Sequence, residues 1–194
     1  MNRRRQRARS LLARLQLGLE ALYRVETRLA IDAFVIDAVQ RGQMQPARAP
    51  REQLLLREMD GELGMALFVD AAAIANLERH DPAARLDERN FADFCLAVEG
   101  VSHFVYVALA AARQRPVSQL ELELQAEVDK FVCCFLVGGV IADLRLRLYG
   151  DVRYAAALER RFTTRAETGG LLAEVRRFYR MDLPDKLGRI AQLG

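Results

Sequence analysis

Residues 91–112, FADFCLAVEGVSHFVYVALAAA, decide how this chain folds. At 100° per residue, Glu99, Ser102, His103 and Tyr106 fall on one stripe of a helix otherwise built from Phe, Val, Leu and Ala. A carboxylate and an imidazole set into an apolar helix must be paired, ligated or face a cavity, because unpaired burial is costly. The stretch therefore predicts a core helix with one polar seam, opening near Asp87 and stopped at Gln114-Arg115-Pro116.

Past that stop, Ser118 and Glu121 have the spacing of a capping box, which predicts a second long helix from Gln119. Leu120, Leu124, Val128, Phe131 and Phe135 form its expected core face, with Glu123, Glu127, Lys130 and Cys134 in a strip beside it. A short connection makes the two helices an antiparallel hairpin. Folding about the Arg115-Pro116 turn places His103 level with Glu127, and Glu99 level with Lys130 or Phe131.

Upstream, two apolar-rich runs, Gln53 to Met59 and Glu62 to Val69, flank Asp60-Gly61, a pair suited to the two positive φ angles of a type I′ turn. Together with the β-prone Phe34-Val35-Ile36 they predict a small antiparallel meander of two to three strands, which needs helices over one face to be stable. Gly42 to Pro50 reads as a loop and Asp70 to Arg79 as a short helix. Leu11, Leu12, Leu15, Leu19 and Leu22 mark an amphipathic helix near the start. Further helices are expected over Tyr154–Arg165 and Leu171–Tyr179, separated by Gly169-Gly170, with a turn and last short helix around Leu183-Pro184. Arg145 to Tyr149 suits either strand or helix, and Gly138-Gly139 either breaks the second long helix or admits a close neighbour.

The expected fold is α+β and predominantly α-helical, in a single domain over 1–194. An amphipathic helix with a basic start covers 1–27 and the meander 28–69. The helical bundle, built around the long antiparallel hairpin, covers 70–194.

A formal net charge of +3 hides an asymmetry: Arg3, Arg4, Arg5, Arg7 and Arg9 stand in a segment with no acid. Without these five the chain has 24 basic residues against 26 acidic ones, so charge lends little support to nucleic-acid binding by the body. The three cysteines, all in apolar surroundings, read as reduced and buried, which makes a cytoplasmic location the expectation. The longest unbroken apolar run, Phe131 to Ala142, is too short to span a bilayer, and no transmembrane segment is expected.

For the polar seam, an architectural reading pairs Glu99 with Lys130 and His103 with Glu127, a network that sets helix register. A metal reading uses Glu99, His103, Glu123 and Glu127, though the Glu-x-x-His spacing of carboxylate-bridged bundles is absent. An acid–base reading takes His103 as base, oriented by Glu127, with Ser102 or Tyr106 as donor. No nucleotide loop, redox motif or nucleophile elbow is present, and no cofactor is called for. The leading expectation is a non-enzymatic adaptor or regulatory protein acting by protein–protein assembly, with a partner or as a homo-oligomer. The alternatives are a small metal-dependent or acid–base enzyme using the Glu99, His103, Glu127 cluster, and nucleic-acid binding through the five N-terminal arginines.

Overall fold

The computed structural model describes residues 9–44, 50–138 and 168–193. Its centre is the predicted hairpin: α4 (Phe91–Ala112) lies against α5 (Gln119–Gly138), and around them pack α1 (Leu11–Tyr23), α2 (Ala38–Met44), α3 (Ala71–Arg79), α6 (Thr168–Tyr179) and α7 (Leu183–Leu193). The fold is α+β and predominantly helical, with one small sheet of β1 (Val35–Ile36), β2 (Glu52–Met59) and β3 (Glu62–Val69).

Local chemistry sets the helix ends. Ser10 caps α1 by accepting the Ala13 amide, and Arg24 closes it in the left-handed conformation, φ 55°, with its N–H on the Glu20 carbonyl. Asp70 caps α3 through the Ala72 amide. Asn90, buried ahead of α4, donates to the carbonyls of His80 and Arg85 and accepts the Asp87 amide, so the incoming loop is tied down by one side chain. Ser118 accepts the Glu121 amide as a capping box requires, but the Glu121 carboxylate turns inward to other partners.

The sheet departs from the expected meander. Asp60 and Gly61 do take positive φ, 52° and 80°, and β2 pairs antiparallel with β3 from Glu52↔Val69 to Met59↔Glu62. The third strand, however, is two residues long and pairs parallel to β3, Val35↔Leu67 and Ile36↔Phe68, giving the mixed order β1-β3-β2. The physical reason is the connection: α2 occupies part of the expected loop and carries the chain across, where an antiparallel neighbour needs only a tight turn. A 3-10 turn at Ile31–Ala33 takes up the residues before β1.

Five helices and the sheet share one core. Leu19 and Tyr23 of α1, Leu67 of β3, Leu77 of α3, Val101 and Phe104 of α4, Val128 and Phe131 of α5, and Val175 and Phe178 of α6 are all buried within it. Opposed residues on paired strands share a face, so Glu52, Leu54, Leu67 and Val69 point toward α4. α4 is long and apolar enough to cross a membrane by length and composition, yet most of its side chains are buried against this chain's own elements.

Two further expectations shift. Leu120 is 56% exposed and Leu124 only half-buried, while Glu121, Gln125 and Asp129 are buried in their place. Gly169 and Gly170, expected to precede a helix that begins at Leu171, lie in the first turn of α6. Arg145 to Tyr149, the helix over Tyr154–Arg165, Arg3, Arg4, Arg5 and Arg7, and the run 45–49 of the expected loop lie outside the described residues. Arg9 is described and exposed.

Candidate functional site

The stripe on α4 splits into two polar clusters, one on each side of its contact with α5. Folding about residues 115–116 puts side chains level as the sequence requires: Cys95 meets Cys134 at 3.8 Å, Glu99 meets Lys130 at 2.8 Å, Ser102 meets Asp129 at 2.6 Å and Tyr106 meets Glu121 at 2.5 Å.

The first cluster holds the sequence-derived candidates. Lys130 Nζ donates to Glu99 Oε2 at 2.8 Å and to Glu127 Oε1 at 2.5 Å, so the expected Glu99–Lys130 pair forms and Glu127 joins it instead of facing His103. His103, 7% exposed, finds its partner on the sheet: Nδ1 lies 3.5 Å from Oε1 of buried Glu52, while Nε2 is 4.0 Å from Glu123 Oε2. Glu52 can come this close because Gly100 leaves the space. A Cβ at that position would sit 3.0 Å from Glu52 Cγ and 3.2 Å from Leu67 Cδ1.

Charge follows this geometry. Burial alone would lower the His103 pKa, but Glu52, then Glu123 and Glu99, outweigh it and hold it above the usual imidazole value. Lys130 is likewise raised, burial being outweighed by Glu127 and Glu99. Glu127 is raised too, because its desolvation exceeds the pull of Lys130. Glu52 and Glu123 approach different ring nitrogens of His103, and among the described residues no three His, Cys, Asp or Glu side chains converge to hold a metal ion. The cluster is an ion network joining β2, α4 and α5.

The second cluster is deeper, and of its members the sequence stripe marked only Ser102 and Tyr106. Asp129, 1% exposed, accepts from Tyr23 Oη, Ser102 Oγ at 2.6 Å and Gln125 Nε2 at 2.8 Å. Gln125 Oε1 accepts from Lys186 Nζ at 3.0 Å, and the same ammonium donates to Tyr106 Oη at 2.7 Å. Tyr106 in turn donates to Glu121, which also takes Arg115 Nη1 at 2.8 Å. Burial pushes Asp129 up to about 6 against the hydrogen bonds it accepts, and pushes Lys186 down to about 8 against the attraction of Glu121 and Asp129. Tyr23, stacked on Tyr179 with ring centroids 3.9 Å apart, is raised well above the usual phenol value by burial and by Asp129.

One signal in the sequence pointed to this second cluster. Glu121, Gln125 and Asp129 recur every fourth residue opposite Ser102 and Tyr106, a polar stripe facing a polar stripe. Tyr23 and Lys186, remote in sequence, carry no such local mark.

Neither Cys133 nor Cys134 is an activated nucleophile. Cys133 is raised by burial, and Cys134 by its contact with Cys95 and then by burial. At the surface, a groove of about 660 Å³ lies between the end of α2 and the hairpin, lined by Met44, Leu55, Leu56, Arg57, Met65 and Ala66. No protein family, curated protein or solved structure matches this chain.

Proposed function

We propose that this chain is a non-enzymatic adaptor that takes up an extended segment of a partner protein along the outer edge of β2 at Leu56–Met59. The observation that carries this reading is the far half of the β2–β3 hairpin. β2 pairs with β3 on one side, and among the described residues no strand pairs its other side. Leu56, Met59 and Leu63 stand there 48%, 51% and 39% exposed, beside Met44 of α2 at 60%.

An open edge next to apolar side chains supplies what strand addition needs: backbone groups for affinity and alternating side chains for specificity. Arg41 lies over the Phe68 ring at 4.5 Å, so α2 walls the outer face and leaves the groove between itself and the hairpin. α4, by contrast, spends most of its apolar surface within the fold.

The test is selection of extended peptides against the full chain, followed by binding to Leu56→Lys and Met59→Lys. Both side chains are half exposed, so neither change is expected to move the melting temperature appreciably. Affinity is expected to fall by at least about tenfold, and bound peptide is expected to slow amide exchange in β2. Peptides that bind both variants as well as the parent and leave β2 exchange unchanged would overturn the proposal.

A further inference from the structure

α7 is held by buried Lys186, by Ile190 against the core and by Arg189 on Glu174. Lys186 is fully buried, whereas Pro184, Asp185, Leu187, Gly188, Ala191 and Gln192 are exposed. Leu183 and Ile190 are half-buried, and Arg189 Nη2 reaches Glu174 Oε1 of α6 at 2.8 Å. Only residues 180–182 join α7 to α6, with Asp182 capping the new helix through the Asp185 amide.

The chamber that receives Lys186 is built to recognise its head group. Two acceptors, Tyr106 Oη at 2.7 Å and Gln125 Oε1 at 3.0 Å, meet two of its N–H bonds. Two rings present their faces to the charge, Tyr106 at 4.5 Å and Phe178 at 5.2 Å from centroid to nitrogen. The carboxylates of Glu121 and Asp129 stand one hydrogen bond further out, fixing the orientation of Tyr106 and Gln125. A quaternary ammonium lacks the N–H donors for these acceptors, and an alcohol lacks the charge that faces the rings.

We propose that this chamber is a primary-alkylamine site, occupied in cis by Lys186, and that a lysine of another chain or a free alkylamine exchanges with it as α7 lifts away. This inference is independent of the β2 edge. The turn at 180–182 is the hinge, and among the described residues the ties to break are Lys186, Arg189 and the packing of Ile190 on the core.

The experiment uses the full chain carrying Lys186→Ala, which removes three methylenes and the nitrogen and leaves a space matching n-propylammonium. Thermal unfolding is followed as n-propylammonium, n-propanol or tetramethylammonium is added at matched ionic strength. A saturable rise in midpoint with n-propylammonium and none with the other two is expected, and equal effects of all three would overturn the proposal. In the parent chain, n-propylammonium is expected to accelerate amide exchange of residues 183–193 several-fold. This arm stands even if Lys186→Ala does not fold, and unchanged exchange overturns the exchange with α7.

A synthetic peptide of residues 182–194 separates the two sources of amine. Its displacement of n-propylammonium from Lys186→Ala, with failure of the same peptide bearing norleucine at 186, assigns the site to a lysine presented by a chain. Failure of both peptides assigns it to a free amine and overturns the lysine arm.

Discussion

At the residue scale, Asp129 carries the greatest consequence. Its carboxylate satisfies Tyr23, Ser102 and Gln125 at once, in a place where each orphaned donor would cost about 1–3 kcal/mol. Asp129→Ala is therefore expected to cost about 3 kcal/mol or more in urea unfolding. Asp129→Asn is expected to cost much less, since an amide oxygen still accepts from Tyr23 and Gln125 while its NH₂ donates to the Ser102 hydroxyl. Equal losses in the two variants would mean that the oxygen network is not what Asp129 supplies. The sequence made the polar stripe of α4 visible, and the spacing of the turn set which residues lie level. It did not show which flank of α5 turns inward, because leucines at 120 and 124 outscore a glutamate and a glutamine as core candidates. Burying the acids became favourable only with Tyr23, Lys186 and Arg115 to pair them, and those come from other elements.

At the element scale, the hairpin turn and the start of α5 were legible because their signals are local: Asp60-Gly61 for positive φ, Ser118 for the first turn of α5. The parallel pairing of β1 was not, since two residues carry no register information. Nor was Glu52, whose role depends on the space at Gly100 when β2 crosses α4. Two glycines inside helices thus have opposite roles. Gly18 in α1 has no heavy atom near its added methyl position, so Gly18→Ala is expected to gain about 0.5–1 kcal/mol from helix propensity. Gly100→Leu forces a side chain between Glu52 and Leu67 and is expected to cost about 1–3 kcal/mol. Chemical denaturation of both variants checks the contrast, and a neutral Gly100→Leu would refute the close approach of sheet and helix.

At the scale of the whole molecule, three units meet at one imidazole: the sheet through Glu52, the helix α4 that carries His103, and α5 through Glu123. The charges that act on it are Glu52 on β2, Glu123 on α5 and Glu99 on α4. With its pKa raised in the fold, His103 contributes stability that is fully present below the unfolded value of about 6.5 and is lost as pH rises through the folded value. The most direct measurement is an NMR titration of the His103 ring in the parent chain, in Glu52→Gln and in Glu127→Gln. The ring is expected to titrate above 6.5 in the parent, to fall clearly in Glu52→Gln and to stay nearly unchanged in Glu127→Gln. A His103 that ignores Glu52→Gln and responds to Glu127→Gln would contradict the joint between sheet and helical hairpin on which this structure is built.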